Sequence, residues 1–336
     1  MGSRADPGVW QDKESGGRRQ PATVVSVVVP AFNEEENLPA VYRELEKILS
    51  SGDLAWEIIL VDDGSSDGTW DCIEMLHQQD QRVKGLRLSK NFGHQFAILA
   101  GLRHATGQAA ITMDADLQHP PGCIPELIEK WRQGYRIVNT RRLDPSSASF
   151  FKKITSRLYY AVFSWLSGER MEAGMSDFRL VDRQVMAAML QFPEKGLFWR
   201  GLVQWTGFAG TTVTFQAGKR HRGRSKYSLA KMLSFAWTGI STFSVVPLRL
   251  AVLIGALTSL LAFLELGYAV FIKLFTDQAI PGWASAVSVV SFLFGILFIL
   301  LGIVGEYIGC ILLEVKGRPR YFISDQTGFE QIFADR

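Results

Sequence analysis

The segment ITMDADLQHPP, residues 111–121, runs from apolar residues straight into two carboxylates one residue apart, Asp114 and Asp116. A glutamine, a histidine and two prolines follow, and the prolines stop a strand from continuing. Paired carboxylates at a strand end are hard oxygen ligands, of the kind that hold Mg2+ or Mn2+. A metal held there would neutralise a departing diphosphate. The other reading of the same residues is a polar strand end that caps the next helix. A second acidic segment, WEIILVDDGSSDGT (56–69), sets Asp62 and Asp63 ahead of a Gly/Ser turn, where they can accept from a ribose hydroxyl or a base N–H. Asp67 in the same segment reads as a turn or capping residue.

For these carboxylates to act together, their strands must end at one edge. VVSVVVPAF (24–32) is β-branched and almost wholly apolar, as a strand buried on both faces should be. Apolar spacing at Leu38, Val41, Leu45 and Ile48–Leu49 predicts a helix after it. A second strand runs from Trp56 into Asp62-Asp63, followed by a helix over 70–79. A third strand is expected over 83–89, a helix over 96–106, a fourth strand over 109–116, a helix from Ile124 and a fifth strand over 136–142. This alternation predicts an α/β fold with a doubly wound, mostly parallel sheet. Such sheets bind ligands at the strand C-termini, where the strand order switches. Glu34, Asp62, Asp63, Asp114 and Asp116 are therefore expected to share one cleft. No G-x-G-x-x-G follows the first strand, which disfavours a dinucleotide site.

The chain has 336 residues, a formal net charge of +3 and an apolar fraction of 47%. So small a net charge points to no nucleic-acid partner. The apolar excess sits after about residue 243. Residues 250–272 carry one internal charge, Glu265, and residues 284–305 carry none. Each run matches the roughly 20 residues a membrane-spanning helix needs. The short connection KLFTDQAIPGW makes them an antiparallel hairpin, with both flanks on the side of the soluble domain. Those flanks carry Lys226, Lys231, Arg249, Lys316, Arg318 and Arg320, and the connection only Lys273. The positive-inside rule then places the soluble domain and both termini in the cytoplasm. The competing reading is two buried helices of a large soluble core.

Two amphipathic stretches, 151–168 and 228–243, combine basic flanks with aromatic tips and suit either the lipid headgroup region or an ordinary core-facing helix. The organisation expected is a disordered tail over 1–22, a soluble domain over 23–227, an interfacial helix over 228–249, two spans over 250–313 and a cytosolic tail over 314–336. Cys72, Cys123 and Cys310 are far apart and odd in number, which suits a reducing compartment. Glu265 inside the first span reads as an oligomer contact or as part of the chemistry, and a homo-oligomer is expected.

The segments VVVPAFNEEENLPAVY, EIILVDDGSSDGT, LSKNFGHQFAILAGL, MDADLQHPP, SDFRLVDRQV, HRGRSKYSLAKM and GEYIGCILLEVKGRPRY together resemble the family 2, GT-A fold glycosyltransferases. Within that family the chain is most similar to the polyprenyl-phosphate glycosyltransferases, of the bactoprenol glucosyltransferase and dolichol-phosphate mannose synthase type. The likeness runs from about residue 24 to 321. It implies a nucleoside site lined by Pro30, Phe32 and Glu34 with Asp62 and Asp63. It implies that Asp114, Ala115, Asp116 and Gln118 surround the diphosphate and a Mg2+ or Mn2+ ion, held by Asp114 and more directly by Asp116. Phe32 stands where many relatives have tyrosine. The implied reaction moves a sugar from a UDP- or GDP-sugar, UDP favoured, to a polyprenyl phosphate in the membrane, with inversion.

A lipid phosphate must be held by cations or backbone N–H groups. Arg141 and Arg142 after the fifth strand are candidates, as is the run Lys219, Arg220, Arg222, Arg224 and Lys226, where Gly223 and Ser225 favour an ordered loop over the alternative of a patch for anionic lipid. By similarity, Asp177 in SDFRL lies beside the acceptor as a base or an orienting residue, and its alternative is a helix cap or a partner for Arg179. His94 in NFGHQ could approach the sugar or be a packed loop histidine. The Q-x-x-R-W motif of processive members is absent, because LVQWTG (202–207) does not fit it. A chain-building polysaccharide synthase and an inactive membrane scaffold are the competing functions.

Overall fold

The computed structural model describes residues 25–52, 54–143, 175–192, 199–216, 246–275 and 282–329. The basic run 219–226, both amphipathic stretches and the N-terminal tail lie outside the described residues.

Strand β1 (Val25–Ala31) is buried along its whole length, as its β-branched sequence requires. Helix α1 (Leu38–Leu49) starts with a proline in its first turn and buries Leu38, Val41, Leu45 and Leu49, the stripe read from the sequence. β2 (Trp56–Asp62), α2 (Thr69–Gln79), β3 (Val83–Leu88), α3 (His94–His104), β4 (Ala109–Thr112), α4 (Ile124–Arg132) and β5 (Ile137–Leu143) follow. β6 (Met175–Asp182) leads directly into α5 (Arg183–Leu190), whose N-cap Asp182 accepts from the Gln184 N–H. A short helix α6 (Trp199–Trp205) precedes β7 (Gly210–Gln216).

Eight strands form one sheet in the order β7-β5-β6-β4-β1-β2-β3-β8, where β8 is Ile323–Thr327. β4, β1, β2 and β3 are mutually parallel, whereas β6 pairs antiparallel to both β4 and β5. One face packs Val25, Val27 and Val29 against α1, α2 and α4, and the other packs Val28, Ile59 and Val61 against α3 and α5. The doubly wound α/β sheet is thus present, with more antiparallel pairing than the first five strands suggested. On α3, Gly101 lets the helix close on β1, because a Cβ there would stand 2.3 Å from Val28 Cγ1.

Two helices, α7 (Val246–Phe275) and α8 (Trp283–Val315), lie C-terminal to these elements. At about 1.5 Å per residue both exceed the roughly 30 Å of a bilayer core. Each has a window long and apolar enough to cross a membrane, and almost none of either window is buried in the protein. That removes the soluble-core reading, since core helices are enclosed.

Residues 323–327, inside the stretch 314–336 expected to be a cytosolic tail, form a strand of the sheet. β8 pairs antiparallel to the outer edge of β3, and the Ser89 N–H donates to Phe322 O at 2.9 Å. Tyr321, Ile323 and Phe329 pack on the core face that holds α3. An unpaired β3 edge would expose a row of backbone donors and acceptors, which β8 covers. The chain therefore returns from the hairpin to the domain it left.

Truncation after Arg318 should destabilise the sheet domain by several kcal/mol, at about 1–2 kcal/mol for each partly buried large apolar side chain lost. A fall of several degrees in the thermal midpoint would show it, and an unchanged midpoint would make β8 an accessory.

Candidate active site

The strand order leaves a crevice between the C-terminal ends of β1 and β4, because successive strands run from β1 to one side and β4 returns to the other. Asp114 and Asp116 sit at that point. β4 ends at Thr112, four residues short of the expected boundary, although the Met113 N–H still donates to Val28 O at 3.0 Å. The chain then turns. Leu117 has φ 57°, a left-handed conformation that leucine rarely adopts, and the Gln118 N–H closes the turn on Asp116 Oδ1 at 3.1 Å. Neither carboxylate caps α4: its N-cap is Cys123, with no side-chain cap bond. The capping alternative for the D-A-D segment therefore fails. Both carboxylates are partly exposed at the mouth of the crevice.

β6 brings Asp177 to the same place. Thr112 faces Arg179 in the antiparallel register, so Asp114, two residues on from Thr112, comes level with Asp177, two residues before Arg179. The Thr112 hydroxyl donates to the Asp177 carbonyl. His94, at the start of α3, reaches both carboxylates, with Nε2 3.4 Å from Asp114 Oδ1 and 3.8 Å from Asp177 Oδ2. Asp177 is a strand residue and not a helix cap; Asp182 is the cap. Its pairing with Arg179 is observed, at 3.8 Å from Nη2, and Arg179 is fully buried and donates to Ser176 O at 3.1 Å. At the end of β5, Arg142 Nη1 donates to Gln118 Oε1 at 3.3 Å, and Arg141 and Arg142 are exposed. Asp114, Ala115, Asp116, Gln118, Asp177, His94 and Arg142 thus come from four separate segments to one locality.

On the β1 side, Phe32 is exposed and Pro30 is buried within the strand. Glu34 accepts from Asn37 Nδ2 at 2.6 Å, and its N–H donates to Thr69 Oγ1 at 3.0 Å. Asp62 and Asp63 are enclosed. Asp63 accepts the Phe92 and Gly93 N–H groups at 2.8 and 2.9 Å and so holds the loop ahead of α3; burial pushes its carboxyl pKa up, against those two bonds. Asp62 accepts from the Ser65 N–H at 2.8 Å, and its Oδ2 lies 3.4 Å from Arg87 Nε on β3. Arg87 is also 4.0 Å from Asp325 on β8. Gly64 has φ 69°, and a Cβ there would meet the Lys90 backbone at 2.3 Å, so only glycine permits this close approach of turn and loop. Together these bonds make the VDDGSSDGT turn a rigid wall of the crevice.

His119 and Ser176 were not singled out from the sequence, and Arg179 entered only as a partner for Asp177. Strand alternation was the available signal, since a period of two puts Asp177 and Arg179 on one face of β6 and Ser176 and Phe178 on the other. His119 is buried, stacks on Phe178 with centroids 5.3 Å apart, and meets Phe215 edge-on at 5.8 Å. Burial lowers its pKa, against the nearby carboxylates Asp114, Asp116 and Asp177.

The donor set fits a hard divalent cation. Asp114 and Asp116 offer carboxylate oxygens where a ligand can reach, and no group of three or more His, Cys, Asp or Glu among the described residues could hold a metal by itself. An ion there would need oxygens from a bound ligand, as suits Mg2+ or Mn2+.

Residues 26–191 match the family described as Glycosyl transferase family 2, and residues 246–311 match the GtrB C-terminal hairpin. The chain is 41% identical over 308 residues to the Uncharacterized glycosyltransferase YkcC of Bacillus subtilis (strain 168), covering 91% of this chain and 94% of that one. It is 36% identical over 299 residues to the SfII prophage-derived bactoprenol glucosyl transferase of Shigella flexneri, covering 89% and 97%. Among solved structures, glucosyl-3-phosphoglycerate synthase from Mycobacterium tuberculosis, in complex with Mn2+, uridine diphosphate and glucosyl-3-phosphoglycerate, has a TM-score of 0.46 at 19% identity. It covers 66% of this chain and 78% of that one.

The buried His119 has a measurable consequence. Its folded pKa lies below the ordinary 6.5, so below that pH the unfolded chain takes a proton that the folded chain resists. Stability from this residue is complete above pH 6.5 and declines as pH falls through and below that value. The thermal midpoint should drop between about pH 7 and 5, and His119→Gln should flatten that slope. An equally steep slope in the variant would assign it to other groups.

Proposed function

The chain belongs to glycosyl transferase family 2, and on that premise we propose that it moves a sugar from a nucleotide sugar to the phosphate of a polyprenyl lipid at a membrane surface. The observation that supports this most is the meeting of Asp177, the D-A-D turn and Arg142 at one crevice, in a chain that continues into two exposed apolar helices. A UDP-sugar is the favoured donor and undecaprenyl or dolichyl phosphate the acceptor. The nucleoside lies along Phe32 and Glu34, with Asp62 and Asp63 shaping the wall behind them.

Asp114 and Asp116 would hold Mg2+ or Mn2+, which when bound supplies positive charge against the diphosphate. An acceptor phosphate oxygen attacks C1 of the sugar on the face opposite the diphosphate. The C1–O bond to the diphosphate breaks, its electron pair leaves with the nucleoside diphosphate, and the configuration at C1 inverts. Arg141 and Arg142 hold the acceptor phosphate, as do Arg220, Arg222, Arg224 and Lys226 of the basic loop. That phosphate has a second pKa near 6 and is already ionised at pH 7, so little proton removal is needed. Asp177, paired with Arg179 and close to His94, orients the acceptor more than it deprotonates it. The cations flanking the two apolar helices favour a cytoplasmic domain and cytoplasmic termini.

Purified full-length protein with undecaprenyl phosphate, Mn2+ and a panel of labelled UDP- and GDP-sugars should form a lipid-linked sugar from one donor. No labelled lipid from any donor would overturn the acceptor assignment. Asp116→Ala should reduce transfer to background with the thermal midpoint kept, and EDTA should do so reversibly; full activity in EDTA would remove the metal from the scheme. Arg224→Glu should raise the acceptor KM about tenfold or more, as expected when a charge-assisted phosphate contact is reversed, with donor affinity unchanged. A fall in donor affinity alone would move the basic loop to the other substrate.

A further inference from the structure

We propose that His119 is a positioning residue for the transfer, a neutral imidazole that locks the D-A-D turn to the strand carrying Asp177. The inference rests on the function proposed above. The Asp114 N–H donates to His119 Nδ1 at 3.3 Å, so Nδ1 must present a lone pair and the ring proton sits on Nε2. Nε2 lies 2.7 Å from Ser176 Oγ and donates to it. The same oxygen accepts the Phe178 N–H at 3.0 Å. One ring thus joins the backbone of the first D-A-D carboxylate to the residue preceding Asp177, across 57 positions of sequence.

The opposite tautomer does not fit. A proton on Nδ1 would face the Asp114 N–H, and the Asp114 carboxylate Oδ2 is 3.6 Å away, beyond hydrogen-bond distance. Phe178 stacked on the ring and Phe215 at its edge oppose rotation. The turn itself needs such a clamp, because Leu117, two residues before His119, is held in the left-handed region. Proline at 120 and 121 stiffens the chain on the other side. The bridge acts on the distance between donor-side and acceptor-side groups, which the reaction must keep close to its attack geometry.

Two measurements on the full-length protein in lipid nanodiscs test this. Imidazole 15N spectra, with the His119 signals identified by their loss in His119→Gln, should show a protonated Nε2 and an unprotonated Nδ1; a protonated Nδ1 overturns the bridge. A double-mutant cycle then reads its role in the reaction. Ser176→Ala should lower kcat about tenfold and His119→Ala about 10–100-fold, the scale of a reacting group displaced by less than about 1 Å. Donor KM should stay within about twofold. The double variant should be no slower than His119→Ala, since both substitutions cut one connection. His119→Gln, whose amide can still donate towards Ser176, should recover part of the loss. Independent, multiplying losses, or losses in donor KM with kcat kept, overturn the positioning role. A wild-type protein with the expected spectrum that transfers no sugar upholds the bridge and counts against the proposed function.

Discussion

The site depends on one short edge. β4 has only four paired residues, with β1 parallel on one side and β6 antiparallel on the other. The parallel partner makes the crevice, because two strands whose following chains diverge leave space between their ends. The antiparallel partner delivers a third carboxylate from the opposite chain direction. Without β6, Asp177 could not stand level with Asp114. Thr112 pins the arrangement by donating its hydroxyl to the Asp177 carbonyl, and the Thr140 hydroxyl donates to Phe178 O from the other side at 2.6 Å. β6 is thus tied through side chains as well as through its ladder.

Electrostatics then explain how so many carboxylates share one end of the sheet. Each enclosed one has its own compensation. Asp63 takes two backbone N–H groups, Asp62 has Ser65 and Arg87, and Asp177 has the buried Arg179. A buried carboxylate without such partners would take up a proton or weaken the fold. Asp114 and Asp116, at the mouth, remain partly exposed. A diphosphate docking there meets negative charge, which is the physical reason a divalent cation belongs in the proposed function.

The membrane-facing part of the chain is joined to the same machinery through the sheet. Ala31, Asp62, Arg87 and Asp325 occupy one row across β1, β2, β3 and β8. The last of these strands follows α8 directly. Arg320 adds a bond to the Phe192 carbonyl beyond α5. A domain attached by two chain connections on one side of a hairpin is held more closely than one on a single tether, because each added constraint removes orientations available to it.

Local sequence determined the parallel core, its helices and the apolar hairpin. Those features rest on short-range patterns: the run of valines in β1, the stripe Leu38–Val41–Leu45 in α1, and two long stretches nearly free of charge. The D-A-D pair and the VDDGSSDGT turn were legible for the same reason, as residue types at fixed spacing. β6, β7 and β8 were not, because a strand at 175–182 or 323–327 exists only when a distant edge is there to pair with it, and its register is set by that partner. Asp177 could be named from resemblance, but its level with Asp114 is a product of the β4–β6 register. The same holds for His119: a lone histidine before two prolines says nothing about Ser176, 57 residues later, until the sheet brings the two within 2.7 Å. Composition and periodicity decide which segments fold and which faces they bury; pairing between segments far apart in the chain decides which side chains meet.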